Sequence, residues 1–186
     1  MKQGRAPSGC WVMACGPSGA GKDSLLAWAE AALAREPRIV FARRLVTRAT
    51  HPGSDHDEVS PAAMRALGES GGLAWHWEAH GHQYGVRAAY ADLVAQGRIV
   101  VVNGSREHVA GLAGRADVRS VLITAPAEAL RQRLLARGRE PAQAVAGRLH
   151  RNAALPALAA DLVLVNDGPL ERAAGALRDW LRELAA

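Results

Sequence analysis

The sequence predicts an α/β fold in which a parallel sheet carries helices on both faces, and three observations lead there. Apolar runs of strand length recur at residues 10 to 15, 39 to 46, 99 to 102, 118 to 124 and 161 to 165. Stretches with helical spacing separate them, such as Leu130, Leu134 and Leu135 after Pro126, and Leu170, Leu177, Leu181 and Leu184 after Pro169. A proline near the first turn suits a helix start, because its fixed φ fits and its missing N–H is not needed there. The third observation is a glycine-rich loop that joins the first apolar run to an alanine-rich helical stretch. Strands that are apolar throughout have no face to give to water, so helices must cover both sides of the sheet they form.

Two stretches interrupt the alternation. Residues 49 to 84 hold Pro52, Gly53, Pro61, Gly71, Gly72 and Gly81 among polar and Trp residues, and residues 136 to 152 hold Arg137, Arg139, Arg148 and Arg151. Both read as insertions over the carboxyl edge of the sheet, where open α/β folds bind ligands. The expected organisation is one domain over residues 1 to 186, with a core of 1 to 48, 85 to 135 and 153 to 186. The first insertion spans about 49 to 84, and the second about 136 to 152.

Composition narrows the function classes. The chain has 186 residues, 49% of them hydrophobic, which is enough for one well-buried core. Its 23 Lys and Arg against 18 Asp and Glu give a net charge of +5. Lys2 and Lys22 are the only lysines, so the basic excess is arginine, scattered rather than clustered, and aromatics make up only 4%. Nucleic-acid binding would favour clustered cations interleaved with aromatics, so no nucleic-acid partner is expected and an anionic small substrate fits better. Cys10 and Cys15 lie in one strand-like run, about 16 Å apart at about 3.3 Å per residue, beyond the reach of a disulfide. Unpaired thiols suit a reducing compartment, and the run is too short for a membrane span or a signal segment, so a cytoplasmic location without a membrane partner is expected.

The motif with the clearest chemistry is Gly16-Pro17-Ser18-Gly19-Ala20-Gly21-Lys22-Asp23-Ser24, between the first strand and the first helix. Glycines let the backbone curl until its N–H groups face a polyphosphate, the helix start adds its dipole, and Lys22 reaches the β and γ phosphates. This is a P-loop of the NTPase kind, and ATP is the expected ligand. The position that normally supplies a hydroxyl to Mg²⁺ is Asp23, with Ser24 next. A carboxylate is also a hard oxygen ligand, so Asp23 is the candidate metal residue; the other reading is that it only complements the helix dipole.

The loop resembles that of guanylate kinases, and so does much of the remaining chain. Thr47-Arg48 with Pro52-Gly53 resembles their acceptor-phosphate segment, Gly81-His82-Gln83-Tyr84-Gly85 their Tyr-Gly turn, and Arg137-Gly138 with Arg148-Leu149 their lid arginines. The resemblance implies a nucleoside-monophosphate-kinase-like P-loop fold with an arginine lid. Guanylate kinases read guanine with a Glu, a Ser or Thr, and an Asp. Aligned on Tyr84-Gly85, those positions hold Trp75, Val86 and Asn103. An apolar lining would bury the base edges unpaired, so the base pocket is absent while the phosphate-binding half remains.

Within the superfamily, Gly21-Lys22-Asp23-Ser24-Leu25-Leu26, Tyr84-Gly85-Val86, Val102-Asn103-Gly104-Ser105-Arg106 and Arg137-Gly138-Arg139-Glu140 resemble the ribose 1,5-bisphosphate phosphokinases of phosphonate breakdown. That resemblance implies phosphorylation of ribose 1,5-bisphosphate by ATP and Mg²⁺ to give 5-phosphoribosyl 1-diphosphate. It implies Lys22, Arg137 and Arg148 as catalytic residues and Arg44, Arg48, Tyr84 and Arg106 as substrate-binding residues, with His51 in place of a second acceptor arginine. A guanylate kinase with an altered base pocket and a non-catalytic binding module of the same fold are the alternatives. Lys22, Arg137 and Arg148 together speak against the module.

Four groups have less specific readings. His76, His80 and His82 suit a surface or core-edge role better than zinc, because Gly81 argues for a turn. The run Asp55-His56-Asp57-Glu58 is a candidate for Mg²⁺, for sugar hydroxyls or for a solvated loop. Trp75 and Trp77 alternate as one face of a strand, in the core or a pocket wall. Asp117, Asp161 and Asp167 fall at element boundaries, where capping is the usual duty.

Overall fold

The computed structural model describes residues 9 to 50, 54 to 136, 146, 147, 149 and 158 to 186. Arg137 and Arg148, His51, Pro52 and Gly53, and most of the expected lid lie outside the described residues. The elements run β1 (Cys10–Cys15), α1 (Lys22–Ala32), β2 (Ile39–Phe41), β3 (Arg44–Val46), β4 (His56–Glu58), α2 (Pro61–Glu69), β5 (Leu73–Ala79) and β6 (His82–Arg87). They continue with α3 (Ala89–Ala95), β7 (Ile99–Asn103), α4 (Arg106–Ala110), β8 (Val118–Thr124), α5 (Ala127–Ala136), β9 (Leu162–Val165) and α6 (Leu170–Ala185).

The central sheet has the order β2-β7-β1-β8-β9, and every pairing in it is parallel. Strand β1 sits in the middle and is buried on both faces. Val12 and Ala14 join Leu25, Leu26 and Ala29 of α1 and Leu177 and Leu181 of α6 in one core. Trp11, Met13 and Cys15 point the other way, into a second core with Val100, Val102 and Val109. The period-2 alternation of a strand thus feeds two cores from one apolar run. Among the described residues no helix is long and apolar enough to cross a membrane.

The second core is closed by a smaller sheet of order β4-β3-β6-β5, in which β3 pairs antiparallel with β6, and β6 antiparallel with β5. Trp77, Tyr84, Val86 and Val46 of this sheet pack into the second core, so it is a structural layer as well as a wall above the strand ends. Its hairpin turns on His80 and Gly81, with φ of 53° and 75°. Two successive positive φ values match the twist of a two-residue antiparallel hairpin, which is why glycine stands at the second position. The turn accounts for His80, and His82 places Nδ1 3.1 Å from the Thr47 carbonyl.

One expected element divides in two. The apolar run 39 to 46 reads as one strand, yet β2 pairs with β7 in the central sheet whereas β3 pairs with β4 and β6 in the smaller one. The chain changes sheets at Ala42 and Arg43, where Ala42 N–H still bonds the Val101 carbonyl at 2.8 Å and Arg43 N–H bonds the Tyr90 hydroxyl at 3.0 Å. A run of apolar residues carries no mark of which partner each half will choose.

Helix α6 buries Ala173, Ala174, Leu177 and Leu181, a stripe spaced for one helical face. Gly175 lies within it, and a methyl group there would meet no heavy atom within 4 Å. Replacing Gly175 with Ala is expected to raise stability by about 0.4–1 kcal/mol, because the unfolded chain loses conformational freedom while the helix gains no clash. Chemical denaturation would register this as a higher midpoint at an unchanged slope.

Candidate active site

The loop after β1 turns back on itself through three glycines with positive φ, 151° at Gly16, 88° at Gly19 and 86° at Gly21. Two of them are also sterically required. A Cβ at Gly16 would stand 1.8 Å from the Ile123 carbonyl oxygen, and one at Gly21 would stand 2.5 Å from Asn166 Nδ2. Gly21 is the N-cap of α1 without a side-chain cap, so the first-turn N–H groups are left for another acceptor. Lys22 Nζ folds back across the loop, donating to the carbonyls of Gly16 at 2.9 Å and Pro17 at 3.2 Å.

A cavity of about 610 Å³ opens above this loop. Gly16, Ser18, Lys22 and Asp23 form its floor, and Arg44, Arg48, Tyr84 and Arg106 reach it from three other elements or their flanks. Residues scattered over 90 positions of sequence therefore converge on one site. Pro17, Gly19 and Ala20 are buried beneath the loop, and Ser24 is exposed on α1; none of these four lines the cavity, nor does Gly21.

The inner wall is a hydrogen-bonded chain of charges. Arg44 is 8% exposed and donates through Nη1 to the Asn103 carbonyl at 2.8 Å and through Nη2 to Asp55 Oδ2. Its guanidinium lies 5.7 Å from the centre of the Tyr84 ring. Asn103, at the end of β7, donates its amide to Asp23 Oδ1 at 2.8 Å and to Asp55 Oδ2 at 3.0 Å. Burial acts to raise the Asp55 pKa, but the Arg44 charge and hydrogen bonds from Asn103, Arg44 and His56 outweigh it and hold the carboxyl below its ordinary range. Asp55 is thus a member of the site, resolved from the run 55 to 58. Asp57 instead pairs with Arg43 and Arg87 at the surface, and Glu58 accepts from Thr50 N–H at 3.1 Å.

Of the three positions aligned with the guanine readers, Trp75 and Val86 pack into the second core and Asn103 stands on the cavity wall, and aromatic rings pack around Trp75 and Trp77. Trp77 lies nearly parallel to Tyr84, with centroids 5.4 Å apart and planes 9° apart, and to His108 at 4.6 Å and 13°. Trp75 meets Trp11 and His108 edge-on. Burial lowers the His108 pKa, which favours the neutral ring. Among the described residues no three His, Cys, Asp or Glu side chains form a metal cage. Mg²⁺ needs less, since one or two carboxylates complete its shell with water and substrate phosphates, and Asp23 beside Lys22 fits that pattern.

No protein-family model matches the chain. It is 46% identical over 176 residues to the ribose 1,5-bisphosphate phosphokinase PhnN of Methylobacterium radiotolerans, covering 94% of this chain and 98% of that one. The chain belongs to the ribose 1,5-bisphosphate phosphokinase family. The PhnN protein of Brucella melitensis is 40% identical over 187 residues, covering 98% and 97% of the two chains. Among solved structures, guanylate kinase from Anaplasma phagocytophilum superposes with a TM-score of 0.68 at 24% identity, covering 95% of this chain and 86% of its own, so the two share a fold.

In this member of the ribose 1,5-bisphosphate phosphokinase family, two side chains that sequence reasoning passed over support the phosphate loop from behind. Asn166 is 5% exposed and donates Nδ2 to the Ala20 carbonyl at 2.9 Å. Arg133 on α5 donates to the Asn166 carbonyl at 3.0 Å and the Gly19 carbonyl at 3.5 Å. Nothing in their local sequence marks them, because their partners are 33 to 146 residues away.

Proposed function

We propose that the protein transfers the γ-phosphoryl group of ATP to the 1-phosphate of ribose 1,5-bisphosphate, giving 5-phosphoribosyl 1-diphosphate and ADP. One observation carries the reading: the cavity has a phosphate loop on its floor and arginines on its walls, while Trp75 and Val86, at two of the three positions aligned with the guanine readers, are taken up in the second core. Such a site offers donors to phosphates at both ends and lacks two of the three polar groups by which guanylate kinases read guanine.

The loop N–H groups and Lys22 hold the β and γ phosphates of ATP. Arg48 and Tyr84 grip the 5-phosphate, with Arg106 beside the sugar phosphate and Arg44 holding that wall in place. A 1-phosphate oxygen attacks the γ-phosphorus in line, the bond from that phosphorus to the β,γ-bridging oxygen breaks, and ADP departs with the bonding pair. The attacking phosphate is largely ionised near neutral pH, as for other phosphate monoesters, so it needs no general base. Catalysis rests on alignment and charge, to which Arg137 and Arg148, the arginines that match the family's lid motif, would add positive charge. Arginine suits these contacts because its planar fork binds phosphate oxygens in pairs. Asp23, oriented by the Asn103 amide, would hold Mg²⁺. That ion supplies charge neutralisation on the phosphates when bound.

A cytoplasmic location is part of the proposal. Cys10 and Cys15 are free thiols, and burial, the larger influence, pushes the Cys15 thiol up to about 11 despite nearby Lys22 and Arg106. Such a thiol is unreactive and packs as a small apolar residue.

A coupled ADP assay with ATP and Mg²⁺ tests the reading. Ribose 1,5-bisphosphate is expected to give kcat/KM at least about 100-fold above that for GMP, the discrimination typical of a site built for another shape. Turnover of GMP alone would mean that the chain is a guanylate kinase with a rebuilt pocket. Absence of turnover with either acceptor would favour a binding module.

A further inference from the structure

We infer that Asp55 is a specificity-determining residue that receives the ring hydroxyls of the acceptor's sugar. The inference rests on the acceptor reading above. Among the described residues, four of the seven charged side chains around the cavity, Lys22, Arg44, Arg48 and Arg106, are cationic donors suited to phosphate oxygens. A sugar hydroxyl needs an acceptor as well, and a carboxylate cannot serve a fully ionised phosphate, which has no proton to give and repels it. Among the described residues three carboxylates line the cavity, namely Asp23, Asp55 and Glu107. Asp23 stands next to Lys22 at the phosphoryl-donor end, and Glu107 lies in the exposed first turn of α4.

Asp55 lies between the two phosphate-binding ends. On one side Asn103 joins it to Asp23, and on the other Arg44 joins it to the face of Tyr84. A sugar that carries its phosphates at opposite ends places its ring in that interval. The two carboxylate oxygens are also unequal. Oδ2 accepts from both Arg44 and Asn103, whereas Oδ1 has His56 Nδ1 at 3.5 Å, the outer limit of a hydrogen bond. The bonds at Oδ2 fix the carboxylate in place and leave Oδ1 with acceptor capacity. The side chain is 37% exposed and lines the cavity.

Wild type, Asp55→Ala and Asp55→Asn are to be compared on ribose 1,5-bisphosphate and on its 2-deoxy and 3-deoxy analogues at saturating ATP. The wild type is expected to lose about tenfold or more in kcat/KM when the contacted hydroxyl is removed, because a site built for that hydroxyl is left with an unmatched acceptor. In Asp55→Ala the parent acceptor falls by a similar factor while the matching deoxy analogue changes by less than about threefold, so discrimination collapses. If the alanine variant fails to fold, the test is read on the isosteric Asp55→Asn variant, which keeps the packing and is expected to show an intermediate ratio. Parallel losses on all three acceptors would overturn the inference and assign Asp55 to holding Arg44 alone. A wild type indifferent to both deoxy analogues would overturn it too. Failure of the wild type to phosphorylate any of the three is a different outcome, since it removes the acceptor reading itself.

Discussion

Replacing Lys22 with Ala is expected to lower kcat by about 10²–10³-fold while leaving the folded protein intact, the range found when one preorganised donor to a developing charge is removed. Its Nζ donates to the Gly16 and Pro17 carbonyls at the mouth of the loop, contacts that water can replace. The loop's shape depends instead on its glycines and on Asn166 beneath it, so the melting temperature is expected to move by no more than about 2 °C, about 1 kcal/mol or less in a domain of this size. Rate and stability should therefore separate. Steady-state kinetics beside a thermal melt would measure both, and a kcat within about threefold of wild type would remove Lys22 from the chemistry. Lys22 is also one of only two lysines in the chain, so lysine-directed modification, with ATP as protectant, offers a second readout.

The second large effect is expected at Gly16, and its sign is reversed: stability fails before catalysis can be measured. A Cβ there would sit 1.8 Å from the Ile123 carbonyl oxygen and 2.9 Å from its carbon, and the φ of 151° is one that L side chains rarely adopt. Both obstacles are backbone, at the adjoining ends of β1 and β8, so no side chain can swing aside. Overpacking of a rigid site costs about 1–3 kcal/mol or more, and a sparsely populated backbone conformation adds about 1–3 kcal/mol. At about 2–4 °C per kcal/mol, Gly16→Ala is expected to melt at least about 5 °C lower, or to fail to accumulate as folded protein. Gly71→Ala is the control. Gly71 has a φ of 73° but nothing within 4 Å of its Cβ position, so only the conformational strain remains and the loss should be clearly smaller. Equal losses at the two positions would show that the contact with Ile123 is not what requires glycine.

The two expectations differ because the phosphate loop has two sides. Both residues line the cavity, but the Lys22 side chain serves the ligand, whereas the Cα of Gly16 lies so close to Ile123 that only a residue without a Cβ lets the loop lie against the sheet. Arg133 and Asn166 belong with Gly16 in this respect, since both bond carbonyls of the loop from beneath. A loop held from below keeps its N–H groups aligned before ATP arrives, which is the preorganisation that catalysis by positioning requires.

What could be read from the sequence was what is local along the chain. Strand β1, the loop and the start of α1 form one contiguous segment whose glycine spacing reports its own backbone geometry. Trp75 and Trp77 could be placed on one face of a strand because side chains on a strand alternate with period 2. The family was legible as well, since its motifs are short and contiguous. The division of residues 39 to 46 between two sheets was not legible, because an apolar run does not encode its partners. Asp55, Asp57 and Glu58 are chemically alike and nearly adjacent, yet one lines the cavity, one pairs with surface arginines and one bonds a backbone N–H.

By itself, then, the sequence determined the class of fold, the phosphate-binding loop and the lysine it presents. The tertiary structure alone decided that Asn103 joins Asp23 to Asp55 across separations of 80 and 48 residues, that Arg44 anchors the wall they share, and that Trp77 stacks on both Tyr84 and His108. The physical reason is that a turn or a strand is specified by neighbours a few bonds away. A binding site is specified by the register and order of strands, and these are fixed only when distant segments pack together.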